Sequence, residues 1–299
     1  YLVQKGHLDP KDLWEMMTPL NVALALALVG LSNFMATWRW VILLRARGFS
    51  LRLRDGFGLY LIGIFFNFAL PGSVGGDVVR GYYLVAENPE RRLDAALSIV
   101  IDRVLGLYSF FMLSLVAVAL DFEFVSTHEK IRWVALMCFL VFAGLTAFFT
   151  IVFSHRLSHL FGLGFFERRI PVLHRIVTGI HHFGQDRKVI ALSILVSLLT
   201  QLVTCTFFYQ LGVTSGETAI TFNAVLFAVP MGFLITALPI APAGIGVGQV
   251  AFAYLFQAYL QKETQFGANS ITAFQLSTVA WAFIGAILYL RRKKPKELE

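Results

Sequence analysis

Long apolar runs alternate with short polar connections along the chain, and the lengths of the runs set the first expectations. Residues 20–38, 133–153, 189–211 and 271–290 contain no Asp, Glu, Lys or Arg. Each run holds about 20 residues, the length one helix needs to cross a hydrocarbon layer about 30 Å thick. Four crossings are predicted from these runs. A fifth run, 95–120, has the right length but carries Asp102 and Arg103. At a lipid-facing helix centre each such charge costs about 2.5–3.5 kcal/mol. That helix therefore needs a face lined by protein or water.

Two further apolar regions are interrupted by proline and glycine, which end helices by removing a donor and freeing the backbone. Residues 57–70 run for 14 positions before Pro71 and Gly72, and the apolar pattern resumes at 78–85. Residues 219–238 are expected to kink at Pro230 and lead into Leu238-Pro239-Ile240-Ala241-Pro242-Ala243-Gly244, after which 247–260 is apolar again. Both regions read as broken helical hairpins that enter and leave on one side. For the second, a full crossing by 219–238 with a return through 247–260 is a rival that leaves the outer connections unchanged.

Lys and Arg placement orients the runs, because cytoplasmic loops retain these residues. Residues 39–54 hold five, 87–94 two, 154–188 six and 291–299 five, whereas the opposite connections hold Lys5, Lys11, Lys130, Arg132 and Lys262. The first group is expected to be cytoplasmic, and with it the C-terminus. The order is then crossing, cytoplasmic hairpin, crossing over 20–120, and crossing, external hairpin, crossing over 189–290. Those units run in opposite directions. The expected fold is an all-α polytopic membrane protein, an inverted repeat with two broken or re-entrant helical hairpins. One membrane domain covers 1–299: a first half at 20–120 with its hairpin at 56–86, a linking helix at 131–153, a cytoplasmic interfacial segment at 154–188, and a second half at 189–290 with its hairpin at 219–260.

Composition narrows the function classes. The 299 residues are 57% hydrophobic and 14% charged, with mean hydropathy +0.71, against about 45–50% and about 25% in soluble domains. No separate soluble catalytic domain is expected within these residues. The net charge of +7 follows membrane topology and not a basic face for nucleic acid. Cys138 and Cys205 lie within apolar runs, where cysteine behaves as a small buried hydrophobe. The chain opens on Tyr1, and residues 1–3 read as the stub of an apolar helix, so a first helix upstream is expected. Residues 154–188 mix aromatics with cations, as an interfacial helix on an anionic leaflet does. His155 with His159, and His181 with His182, lack further ligands, so neither a metal nor another cofactor is expected.

Candidate chemistry concentrates in the first break: Asn67, Pro71, Gly72, Ser73, Gly75, Gly76, Asp77 and Arg80. Irregular backbone at membrane depth survives only beside protein or a water-filled cavity. Free amides of a helix starting near Gly76 would face an anion, and Arg80 one turn on offers a bidentate contact to phosphate. In the competing reading, Ser73 or Asp77 caps the second helix and Arg80 snorkels to the interface. Asp102 and Arg103 are functional candidates by their depth. Their structural alternative is interhelical pairing, Asp102 with Arg80 and Arg103 with Asp77, since neighbours on one helix do not face each other.

The second break offers Pro239, Pro242, Gly244, Gly246 and Gln249 without a charge, and reads as exposed backbone and a flexible gate. Asn33, Asn223, Thr236, Gln201 and Gln275 read mostly as interhelical hydrogen bonds worth about 0.6 kcal/mol each. An intramembrane hydrolase is disfavoured: Val74-Gly75-Gly76-Asp77 is not Gly-x-Gly-Asp, and neither His-Glu-x-x-His nor Gly-x-Ser-x-Gly occurs. The chain is not expected to be an enzyme.

Residues 67–83, Asp102-Arg103 and the turn from Leu238 to Gln249 together resemble the flippase-like membrane family that includes the transmembrane region of lysylphosphatidylglycerol synthase. The resemblance covers essentially the whole chain. It implies a bacterial or archaeal cytoplasmic-membrane protein that moves lipids with polar headgroups between leaflets, and the candidate site around Gly76 and Arg80 makes the expected headgroup anionic or phosphate-bearing. Many relatives carry Arg-Glu where this chain has Gly248-Gln249, which argues against a mechanism using that glutamate as proton carrier. The resemblance does not extend to the synthase's aminoacyl-transferase domain, so lipid aminoacylation by these residues is not expected. The alternative reading is a protein that holds a lipid carrier for a partner membrane synthase without moving it.

Overall fold

The computed structural model describes residues 18–70, 74–153, 171–217, 219–237 and 241–292. Among these, every regular element is helical. Helix α1 (Pro19–Ala46) leads into a hairpin, α2 (Leu53–Ala69) and α3 (Gly75–Glu87), and then α4 (Arg92–Leu120). A short α5 (Phe122–Thr127), α6 (Glu129–Phe153) and α7 (Pro171–Gly184) connect to a second group. This group is α8 (Arg187–Thr214), a hairpin of α9 (Phe222–Thr236) and α10 (Val247–Leu260), and α11 (Phe266–Arg291). The chain is therefore all-α and multi-pass, as its hydropathy predicts.

Among the described residues, Pro19–Ala46, Pro89–Leu120, Arg187–Thr214 and Phe266–Arg291 are long and apolar enough to cross a membrane, whereas the run expected to cross at 133–153 falls in α6, whose apolar stretch Ile131–Ala147 is shorter. Local chemistry starts them: Thr18 accepts the Asn21 amide and Pro19 opens α1, while Asp186 accepts the amides of Lys188 and Val189 at the head of α8. At 1.5 Å per residue the hairpin helices α2, α3, α9 and α10 measure about 26, 20, 22 and 21 Å, all short of the roughly 30 Å apolar layer. In each pair the two helices pack on one another. The second break thus separates two short helices, and α9 runs continuously through Pro230, where the sequence predicts a kink. Of the interfacial segment, 154–170 with His155 and His159 lies outside the described residues. Helix α7 rests on α4, α6 and α8, burying Phe183 with Leu43, Leu97 and Ile101.

Packing partners come in matched pairs. Helix α1 lies on α8; α2 meets α11 as α9 meets α4; α3 meets α4 as α10 meets α11; and α1 meets α11 as α8 meets α4. Glycine makes the closest of these approaches. A Cβ at Gly285 would strike the Leu61 carbonyl where α11 crosses α2, and one at Gly76 would strike the Gly63 carbonyl inside the first hairpin. Backbones this close gain van der Waals contact where lipid supplies no hydrophobic drive between helices. Between α8, α9, α10 and α11, Phe208 stacks on Phe252 at 5.2 Å and Phe233 meets Phe252 edge-on at 5.4 Å. Cys205, fully buried, joins that core, and Cys138 is also buried and unpaired.

Overpacking a filled contact costs about 1–3 kcal/mol. Gly285→Ala should therefore lower thermal stability by at least that amount in detergent. Gly144→Ala, with nothing within 4 Å of the new methyl, should leave stability unchanged or raise it by up to about 1 kcal/mol.

Candidate functional site

A cavity of about 380 Å³ lies between the two groups of helices, lined from α1, α2, α3, α4, α8, α9 and α11. Helical periodicity builds its walls. On α1, Asn33, Ala36 and Arg39 share one face at spacings of three. Helix α4 presents Asp102, Arg103, Gly106, Leu107 and Phe110, and α3 presents Asp77 and Arg80. One end of the cavity is charged. Further along lie Ser32, Asn33, Thr200, Gln201 and Thr204, and the phenyl rings of Phe110, Phe233 and Phe274.

The charged end is a single network. Arg39 donates through Nε to Asp102 Oδ1 at 2.8 Å and through Nη1 to Ser197 Oγ at 2.9 Å. Arg80 donates through Nη2 to Asp77 Oδ1 at 2.6 Å, and the same nitrogen lies 3.9 Å from Asp102 Oδ2. Arg103 pairs with the other Asp77 oxygen. The guanidinium of Arg80 is also held between the rings of Trp40 and Tyr60, each 4.9 Å away, so aromatic quadrupoles replace part of its lost hydration. Three guanidiniums against two carboxylates leave the network a formal charge of +1. Arg39 and Arg80 are buried, whereas the Arg103 side chain is 31% exposed.

The structure sorts the sequence-predicted residues. Asn67, Asp77, Arg80, Asp102 and Arg103 line the cavity. Gly75, Gly76, Gly244, Gly246 and Gln249 are not among its lining residues, and Pro71, Gly72, Ser73 and Pro239 lie outside the described residues. Pro242 opens a short 3-10 turn, Pro242–Gly244. The expected nest of free amides at the head of α3 is corrected: Gly76 N–H is taken by Asn67 Oδ1 at 2.8 Å, and Asp77 and Val78 N–H by the Val74 carbonyl. Glycine is needed at 75 and 76 for close packing: a Cβ would strike Leu70 and the Phe66 carbonyl at 75 and the Gly63 carbonyl at 76. Asp77 does not cap α3, because its oxygens are held by Arg80 and Arg103, and Arg80 is 5% exposed and does not snorkel.

Gln249 also changes role. Its Oε1 accepts Gly246 N–H at 2.7 Å and its Nε2 donates to Gln275 Oε1 at 2.7 Å. Gln275 in turn lines the cavity and donates to the Ala243 carbonyl at 3.3 Å. Gln249 is thus a buried brace behind the second turn, where Ala243, Gly244 and Gly246 adopt positive φ. Of the expected ion pairs, Arg103 with Asp77 forms, while Asp102 is bonded to Arg39 and only approached by Arg80.

Residues 2–280 match the family model of the lysylphosphatidylglycerol synthase TM region. The chain belongs to that family. No curated protein and no solved structure matches it. In this member of the lysylphosphatidylglycerol synthase TM family, the residue that sequence reasoning misplaced is Arg39, counted there as a cytoplasmic loop cation. It sits inside α1 and is 6% exposed. The signal was the apolar run Trp40-Val41-Ile42-Leu43-Leu44 beyond it, which carries the helix past the charge. Asn33, Gln201, Thr236 and Gln275 were read mainly as links between helices, and all four line the cavity.

Removing one partner of a buried pair costs about 3–5 kcal/mol. Arg39→Gln and Asp102→Asn should each destabilise the folded protein by about that much. The double variant should lose less than the sum, with a coupling of about 0.5–3 kcal/mol in a thermal double-mutant cycle.

Proposed function

We propose that this protein is a lipid translocase, which passes polar, phosphate-bearing headgroups between leaflets through the central cavity while acyl chains stay in the bilayer. The observation that carries this reading is a buried ionic network of net +1 lining a cavity of about 380 Å³ in an otherwise apolar helical protein. Ionisable groups at membrane depth are costly and mark substrate paths. Small-molecule pockets occupy about 300–1,000 Å³, so this one has room for a headgroup and not for a whole lipid. Membership of a family named for the membrane region of a lipid synthase supports the same substrate class.

The matched packing of α1–α4 with α8–α11 supports two inverted units that rock about a fixed site, the arrangement alternating access uses. On this reading the basic connections and the C-terminus face the cytoplasm, and the protein resides in the cytoplasmic membrane. Arg103, the cavity guanidinium with the most exposed side chain, receives the phosphate in a bidentate contact. Asp77, already shared with Arg80, keeps Arg103 oriented before the lipid arrives. No bond is made or broken in this cycle.

The test is headgroup accessibility in proteoliposomes holding the purified chain and no other protein. The wild type should equilibrate an anionic phospholipid across the bilayer. Arg103→Ala should slow it at least tenfold while remaining monodisperse and folded. Unchanged translocation in both Arg103→Ala and Arg80→Ala would overturn the reading, and a wild type that binds lipid but moves none would assign a lipid-holding role instead.

A further inference from the structure

The polar groups of the cavity fall at two depths. Along α1, Asn33 lies six residues from Arg39, which places it about 9 Å further along the helix axis. At the Arg39 depth every lining side chain with a full charge is present: Arg39, Arg80, Arg103, Asp77 and Asp102. At the Asn33 depth the groups are neutral. Ser32 Oγ and Thr204 Oγ1 share a hydrogen bond of 3.2 Å, and Gln201 Nε2 reaches Ser109 Oγ at 3.4 Å. Asn33 Nδ2 is buried and has no partner. A buried donor left unpaired costs about 1–3 kcal/mol, and an acceptor brought by a ligand would recover it.

Resting on the translocase reading, we infer that the headgroup accepted here is a phosphate monoanion extended by an uncharged, hydroxyl-bearing group, a polyol or a sugar, and not by an ammonium or an aminoacyl group. Three features of the cavity point the same way. The network's +1 matches one phosphodiester charge. Hydroxyls both donate and accept, as the side chains of the neutral depth do, and the spacing of about 9 Å exceeds the reach of a bare phosphate. Both lining carboxylates are already committed, Asp77 to Arg80 and Arg103, and Asp102 to Arg39 with Arg80 beside it. A ligand ammonium would therefore enter a net positive compartment without a carboxylate to receive it.

The experiment compares lipids of identical, fluorescently tagged acyl chains bearing phosphoglycerol, phosphate alone, phosphocholine, phosphoethanolamine or aminoacyl-phosphoglycerol. Translocation is followed in proteoliposomes of the wild-type chain. Equilibrium binding of the short-chain versions is measured in detergent, with free glycerol phosphate as competitor. Phosphoglycerol should be moved and bound at least tenfold better than any ammonium-bearing headgroup and better than phosphate alone. Asn33→Leu should cut the phosphoglycerol-to-phosphate affinity ratio by up to about tenfold, the worth of one hydrogen bond. Ammonium-bearing lipids bound as well as phosphoglycerol, or a ratio unmoved by Asn33→Leu in folded protein, would overturn the inference. Selective binding without translocation would uphold the headgroup assignment and remove the transport reading. Competition by free glycerol phosphate at lipid-like concentrations would uphold the chemistry and assign it to a solute.

Discussion

Asp102 sits 2% exposed in the middle of a chain built for lipid, and the arrangement around it follows from the cost of leaving such a carboxylate uncompensated. Arg39 supplies a direct bond from α1, and Arg80 approaches from α3 and is itself shared with Asp77. Burying any of these charges alone would be prohibitive. Together they compensate one another's charge, with Trp40 and Tyr60 flanking the deepest guanidinium, whose Nη1 has no hydrogen-bond partner. The network therefore fixes how α1, α3 and α4 sit against each other, and with them the charged end of the cavity.

Glycine contacts hold the surrounding frame. Because the hairpin helices are too short to cross the layer alone, they depend on close backbone approaches at Gly63, Gly76 and Gly285 and on matched partners in the opposite group. Side-chain amides finish the two breaks: Asn67 bonds the amide at the head of α3, and Gln249 bonds the amide at the head of α10. These bonds satisfy backbone groups that apolar surroundings would otherwise penalise.

Much of this was legible in the sequence, because run length and proline-glycine breaks are direct consequences of a layer of fixed thickness. The spans within 20–38, 95–120, 189–211 and 271–290 and the helix pairs at both breaks follow from that pattern, and the pair Arg103–Asp77 from the rule that neighbours on one helix face apart; the run 133–153 gives only a shorter apolar helix among the described residues. What was illegible depends on where neighbouring helices fall. A single Arg before Trp40 marks a helix end in lipid but not beside a carboxylate on another helix, so Arg39 was misplaced. The free amides expected at Gly76 require that no side chain reach them, and Asn67 does, from nine residues away. The roles of Gln249 and Gln275 likewise depend on a contact between α10 and α11 that no local pattern encodes.

All five charged members of the network, Arg39, Asp77, Arg80, Asp102 and Arg103, come from residues preceding α5, and α8 answers Arg39 with a neutral hydroxyl at Ser197. The division of labour is lopsided: one half of the molecule is an ionic cage and the other a dipolar wall. Every guanidinium–carboxylate pair of the network thus lies inside one half, and what ties the cage to the wall at Arg39 is a single neutral hydrogen bond to Ser197, with no ion pair of the network spanning the two halves.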